Sequence, residues 1–371
     1  MTLLAFAGVL LAREPDVGLR EVSDKFRWDR QTERVVRQRL KSLDLPFSYR
    51  GNEDDVVYQI RLNLINGRRA TERMLGRAQV FFPIFEHNLQ QAGLPEDLKY
   101  IPVIETGLNT HLRSHAGAHG LWQMTYAAAR FVNLRVSDEV DERYDVYRST
   151  EGAVRMLQFL YRNFEDWSLV LAAYNAGHGK VKAAVRRANC PEYRFIEKYL
   201  PLETQQYLVR YVAAAYVGKY YAAHGLEPSP APVRWRTALV LPIRQYLSLY
   251  KAAEVAGVSY ETLRKLNRGY KQGYLPHTSK SPNYLVLPAE GVEPLTAYLA
   301  EKNGKSIGGR KEGQVLIKYV VSPGDDLASI ARLFQVESAD IRKWNYLKSD
   351  RLQVHQELSL FLPKDYLLNR A

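Results

Sequence analysis

Glu105 is the only acid in the stretch VIETGLNTHLRSHAGAHGLWQM, Val103 to Met124, and a solitary carboxylate among small residues poses a chemical question. Leu98, Ile101, Ile104 and Leu108 share one helical face, so Glu105 follows directly on an apolar stripe. Partial burial raises a carboxyl pKa and keeps the group protonated near neutrality, as a general acid requires. A solvated helical Glu is the plainer reading. A second segment, DWSLVLAAYNAGHGKV (166–181), runs from an apolar helix into Gly177 and Gly179. Tyr174 and Asn175 then fall at its last turn, where a hydroxyl and an amide can meet a ligand. The GHGK within it lacks the phosphate-loop frame, and its glycines end a helix rather than begin one. His111, His115 and His119 lie four apart, but Gly117 and Gly120 break the helix that would make them a metal face. No metal and no cofactor are expected.

The elements that must carry these residues are mostly helices. From about 71 to 225 the apolar spacing is helical, as at Val154, Leu157, Leu160 and Phe164, and Pro102 should bend the helix bearing Glu105. Upstream, VVYQIRLNLI near 56–65 alternates like a strand. EPSPAPV (227–233) is a Pro-rich break, and EKNGKSIGGRKEGQ (301–314) a polar, Gly-rich linker. Behind these breaks the chain repeats itself: KAAEVAGVSYETLRKLN (251–267) aligns without gaps on SIARLFQVESADIRKWN (329–345). Each copy closes on a strand-like run and proline, LVLP (285–288) and LFLP (360–363), so one small fold is present twice.

The totals bound the function. With 371 residues, 46% hydrophobic and 25% charged, the chain is globular and long enough for two or three domains. A formal charge of +12 points to polyanions such as nucleic acid, anionic lipid or an acidic wall polymer, without choosing among them. Cys190 stands alone, which excludes intramolecular disulfides and a cysteine-built zinc site. The run from Thr2 to Ala12 is too short to span a bilayer and resembles the core of an export signal; no Cys follows to accept a lipoprotein anchor.

The motifs resemble the Slt-type lytic transglycosylases of bacterial cell walls, particularly the D-type branch with LysM modules. That family's Glu-Ser-x-Phe-Asn-Pro followed by Ser-x-Ala-Gly-Ala-x-Gly-Leu-Trp-Gln is matched by Glu105-Thr106-Gly107-Leu108-Asn109, Ser114, Ala116-Gly117-Ala118 and Gly120-Leu121-Trp122-Gln123. Its Ala-Tyr-Asn-Ala-Gly is Ala173 to Gly177, and its Leu-Pro-x-x-Thr-x-x-Tyr is Leu200-Pro201, Thr204 and Tyr207. YVVSPGDDLASIARLF resembles LysM, with Asp326 in place of the usual Thr; the unit at 240–290 looks like a copy without the Gly-Asp loop. Thr106 replaces Ser and keeps the hydroxyl, a mild change; Leu108 in place of Phe reshapes packing around the cleft without touching the acid.

The resemblance implies a mainly α, lysozyme-like (goose-type/Slt) catalytic domain at 75–226, followed by small α+β (βααβ) LysM-type modules at 234–292 and 315–364 joined by a linker at 293–314. A signal remnant at 1–12 and an N-terminal region at 13–74 precede it. It implies cleavage of the β-1,4 bond between N-acetylmuramic acid and N-acetylglucosamine with 1,6-anhydromuramoyl products. Glu105 would be the catalytic acid and base, and Thr106, Ser114, Gln123, Tyr174, Asn175 and Tyr207 would hold the glycan. Gly324, Asp325, Asp326, Trp344 and Asn345 would bind glycan in the LysM module. The expected partner is peptidoglycan, with weak contact to an anionic membrane surface and no nucleic acid, in the periplasm or cell envelope. Two rivals stay open. A lysozyme-like hydrolase needs a second carboxylate, about 5 Å away for retention or roughly 6.5–9.5 Å for inversion; Asp138, Glu139, Asp141, Glu142 and Asp145 could supply it. A non-catalytic wall-binding protein would need no acid at all.

Overall fold

The computed structural model describes residues 27–49, 51–236, 238–279, 281–302, 314–321, 326–334, 336–345, 347, 349–352 and 356–363. The expected export segment and the Gly-rich stretch 303–313 lie outside them. Helices α1 (Arg30–Lys41), α2 (Glu53–Leu64), α3 (Arg68–Gln91), α4 (Ile101–Thr106), α5 (Tyr126–Phe131) and α6 (Val146–Phe164) come first. They are followed by α7 (Trp167–Ala176), α8 (His178–Ala188), α9 (Tyr193–Ile196), α10 (Leu202–Tyr220) and α11 (Val233–Arg236). The remainder runs β1 (Ala238–Ile243), β2 (Leu247–Ser248), α12 (Leu249–Ala256), α13 (Tyr260–Leu266), β3 (Tyr274–Leu275), β4 (Asn283–Pro288) and α14 (Val292–Lys302). It ends with β5 (Gln314–Val320), α15 (Leu327–Phe334), α16 (Ser338–Trp344) and β6 (Glu357–Pro363). The protein is mainly helical, with small strand-and-helix modules at its C-terminal end.

The chain divides into two compact units, and the first takes residues up to 82, 95–109 and 155–230. Its central element is α10, whose Tyr207, Leu208, Tyr211, Val212, Tyr216 and Val217 are all buried. Apolar on most sides, such a helix must be surrounded, and α2, α4 and α7 pack around it. The strand expected at 56–65 is helix α2. Its buried residues are Val56, Val57, Ile60 and Leu64, the i, i+1, i+4, i+8 pattern of a helical face, and Glu53, Asp54 and Asp55 fill the favourable first turn. Burying each such aliphatic side chain is worth about 1.5–3 kcal/mol. Val36, Leu40 and Leu75 join the same core, so α1 and α2 build part of this unit.

The second unit takes residues 83–94, 110–154 and everything from 231 onward. Its C-terminal part is the repeat in three dimensions. In the first copy β1 pairs antiparallel with β4, Ala238 opposite Pro288 and Ile243 opposite Asn283, with α12 and α13 between them. In the second, β5 pairs with β6, Gln314 opposite Pro363, around α15 and α16. Asn267 and Asn345, aligned in sequence, do the same work. Each donates from Nδ2 to the carbonyl four residues back and to a carbonyl of the closing strand, and each accepts that strand's N–H at Oδ1. The linker expected at 293–314 begins later than its polar composition suggests. Residues 292–302 are helix α14, whose Val292 and Leu295 are buried in the first module's core.

Candidate active site

Glu105 stands on the last turn of α4. Pro102 does not bend a longer helix here: a 3-10 turn, Glu96–Tyr100, ends first, and proline takes the first turn of a new helix, where its missing N–H costs nothing. Gly107 ends α4 in the left-handed conformation at φ 57°, a backbone geometry glycine enters without strain. Arg77 Nη1 donates to its carbonyl at 3.2 Å. The Thr106 hydroxyl donates back to the Pro102 carbonyl at 2.9 Å and the residue is 4% exposed. The hydroxyl proton is therefore used inside the helix, and only the oxygen's acceptor capacity remains for a glycan contact.

The elements of the first unit gather four of the named residues. Tyr207, on α10 and 1% exposed, donates its O–H to Glu105 Oε1 at 2.7 Å. α7 is capped at its start by Asp166, which accepts from the Leu169 N–H at 2.9 Å, and it delivers Tyr174 and Asn175 at its end. Thr204 of α10 donates to Asn175 Oδ1 at 2.8 Å, leaving the Asn175 amide N–H groups without a partner among the described residues. Burial lifts the Glu105 carboxyl to about 7; the Tyr207 hydrogen bond and the Arg210 charge pull it down, and the Glu203 charge pushes it up. Burial, then the Glu105 charge, holds the Tyr174 and Tyr207 hydroxyls well above the usual tyrosine range, so both stay protonated donors.

Glu203 and Arg210 do not emerge from the motifs. They sit four before and three after Tyr207 on α10, the spacing of one helical face, and that spacing is the available signal.

Ser114 and Gln123 belong to the second unit. Ser114 closes a tight turn, its N–H donating to the Ala118 carbonyl at 2.9 Å and its Oγ accepting from the Ala118 N–H at 3.0 Å. Gln123 has φ 45°, and its Nε2 donates to the carbonyls of Gly120 at 2.8 Å and Leu112 at 3.3 Å, so its Oε1 has no protein partner among the described residues. Trp122 anchors the loop: it is fully buried against Phe85 and donates from Nε1 to Thr150 Oγ1 at 3.0 Å. The acids offered for a second carboxylate are largely committed. Asp141 pairs with Arg143, Glu142 accepts from the Arg135 N–H and Nε at 2.7 Å each, and Asp145 caps α6 through the N–H groups of Tyr147 and Arg148 at 2.9 Å each. Burial lifts Asp145 to about 7. Glu139 is held by the Tyr274 hydroxyl, and Asp138 is exposed.

In the last module Gly324 and Asp325 lie outside the described residues. Asp326 is exposed and caps α15, accepting from the Ser329 N–H at 2.5 Å. Trp344 is half-buried with its ring 5.5 Å from that of Phe361, a core contact. Both polar atoms of the Asn345 side chain bond to the module's own backbone.

Three family models match the chain: Transglycosylase SLT domain over residues 82–195, Lytic transglycosylase MltD, LysM-like domain over 239–304, and LysM domain over 319–361. The membrane-bound lytic murein transglycosylase D of Escherichia coli strain K12 is 27% identical over 315 residues, covering 83% of this chain and 69% of that protein. Among solved structures, the 70 kDa soluble lytic transglycosylase of Escherichia coli overlaps 48% of this chain and 32% of its own at 19% identity and a TM-score of 0.34. An inactive mutant of lytic transglycosylase Slt from Pseudomonas aeruginosa overlaps 53% of this chain and 38% of its own, also at 19% identity, with a TM-score of 0.33.

Proposed function

We propose that this chain, a member of the SLT-domain lytic transglycosylases that carry LysM modules, cleaves peptidoglycan between N-acetylmuramic acid and N-acetylglucosamine and leaves 1,6-anhydromuramoyl ends. The observation that carries the reading is a carboxyl lifted to about 7 and held by a buried tyrosine hydroxyl. Near neutrality Glu105 is protonated in a large fraction of molecules and donates to the bridging glycosidic oxygen as the bond to the muramoyl anomeric carbon breaks. The leaving sugar departs as an alcohol and Glu105 becomes a carboxylate, which the Tyr207 O–H stabilises. The carboxylate then takes the proton of the muramoyl 6-hydroxyl while that oxygen closes on the anomeric carbon. The cycle ends with Glu105 protonated again and no water consumed. Because the nucleophile belongs to the substrate, one carboxylate suffices, in contrast to a two-carboxylate glycosidase.

Tyr174 and Asn175 are assigned to the glycan beside Glu105, and Gln123 and Ser114 are assigned glycan contacts of their own. The last LysM module supplies wall affinity, in the cell envelope. Glu105→Gln tests the reading: cleavage of purified sacculi should vanish while thermal stability and sacculus binding persist. Substantial turnover in the folded variant would place the acid elsewhere. A muramidase is the second reading; Glu203, one turn before the Tyr207 whose hydroxyl holds Glu105, is the carboxylate it would use.

A further inference from the structure

The module at 238–302 is joined to the SLT domain by more than its chain connection. Val140 of the SLT segment is 4% exposed and lies inside the module's own apolar core, beside Leu241, Leu275 and Leu285. The Asp141 N–H donates to the Gly269 carbonyl at 2.8 Å, and the Lys271 N–H donates to the Glu139 carbonyl at 2.9 Å. Arg135 Nη2 reaches Asn283 Oδ1 at 2.6 Å, and Asn283 is 1% exposed. Arg148 donates to the Pro282 carbonyl at 2.7 Å with its guanidinium 4.3 Å above the Tyr284 ring. A buried backbone pair at Asp141 and Gly269, a second pair at the exposed rim and a shared apolar residue describe a fixed seam. A tethered bead would have none of these.

The seam leads to the loop that carries Gln123. Asp141, 3% exposed, takes Arg143 Nε at 2.9 Å and Nη2 at 2.7 Å, a two-pronged pair whose planar geometry fixes the guanidinium. Arg143 then donates from Nη1 to the carbonyls of Gly117 at 3.1 Å and Met124 at 3.4 Å, the two ends of the Gln123 loop. Between those ends the Gly120 backbone lies so close to the Arg143 carbonyl that an added Cβ would sit 1.8 Å from it. Gly269 is pressed against the other side: its added Cβ would lie 2.8 Å from the Asp141 carbonyl oxygen. No side chain fits at either place without moving the strand of backbone behind it.

We propose that the first LysM-like module is a built-in brace of the catalytic domain, with Gly269, Asp141 and Arg143 as positioning residues that hold the Gln123 loop in its glycan-binding form. This rests on the assignment of Gln123 to the glycan. Two measurements on the full chain test it. The first is native-state hydrogen exchange. The amide protons of Asp141 and Lys271, which cross the seam, should be as protected as those of Glu142 and Asn267, which bond within either side. Exchange at loop rates would overturn the brace, whether or not the protein is an enzyme. The second is Gly269→Val, with Gly269→Ala as the milder form, assayed on short soluble glycans. KM should rise about tenfold with kcat changed less than about threefold and the pH profile unmoved. Sacculus binding through the last module should remain. A folded variant with unchanged KM would contradict the proposal. Loss of all cleavage in the parent chain would instead remove the function it rests on.

Discussion

Burial sets the Glu105 proton at about 7, so cleavage should fall about tenfold for each pH unit above that value, and the limb should move with the groups that tune it. Arg210→Gln removes a charge that lowers the carboxyl pKa and should shift the limb upward. Tyr207→Phe removes the larger stabiliser of the carboxylate, the hydrogen bond, and should shift it the same way. Rate–pH profiles on soluble glycan check both. The same burial makes Glu105 a cost to the fold. Its ordinary value is 4.5 and its folded value about 7, so the unfolded chain releases the proton first, and stability drops as pH rises through that window. Glu105→Gln should therefore melt higher than the parent at pH 8 and alike at pH 4. Equal melting at both would mean the carboxyl is not desolvated. Glu203→Gln separates the two catalytic readings: a transglycosylase keeps most of its turnover, whereas a muramidase using Glu203 loses it by orders of magnitude. The Glu105–Tyr207 bond joins residues 102 apart, and only likeness of motif connects them in sequence. At Thr106, where the family has Ser, the hydroxyl donates to the Pro102 carbonyl of its own helix, a partner that no motif match reports.

Elements are legible in the sequence where their pattern is unambiguous. The repeat at 251–267 and 329–345 becomes two βααβ modules because an ungapped apolar frame dictates one set of core contacts. Helix α2 reads as a strand because Val, Tyr, Ile and Leu happen to alternate there. Its second face is buried by α10, more than a hundred residues later, and no local pattern reports that partner. α14 reads as linker because it runs into the polar, Gly-rich stretch 301–314, although Leu295 is fully buried. The two asparagines make a prediction at this scale. Asn267→Ala removes the side-chain partner of both the Val286 N–H and the Val286 carbonyl, while the Leu263 carbonyl keeps the residue 267 N–H, at a cost of about 1–3 kcal/mol for a buried group. Exchange of the Val286 amide should quicken accordingly. An unchanged rate would show that the side chain does not clamp the strand.

Across the whole molecule the two modules are assigned different work. The last one raises the local concentration of glycan without entering the bond-breaking step. Truncation near residue 310 should weaken sacculus pull-down and slow cleavage at low substrate, while saturating soluble glycan is still cleaved. Truncation near 231, which removes the braced module as well, should impair even the soluble reaction. Loss of soluble turnover in the first truncation, with the chain still folded, would contradict the division. The formal charge of +12 suits an anionic wall and is equally compatible with other polyanions, so charge alone never reaches the substrate. The solitary acid does. Its chemistry leaves a signature in the product, and mass spectrometry of a sacculus digest reads it directly. Muropeptides ending in 1,6-anhydromuramic acid, one water lighter than their hydrolysed counterparts, are the predicted result. Reducing N-acetylmuramic acid ends would contradict it, because they require a water that the Glu105 cycle does not use.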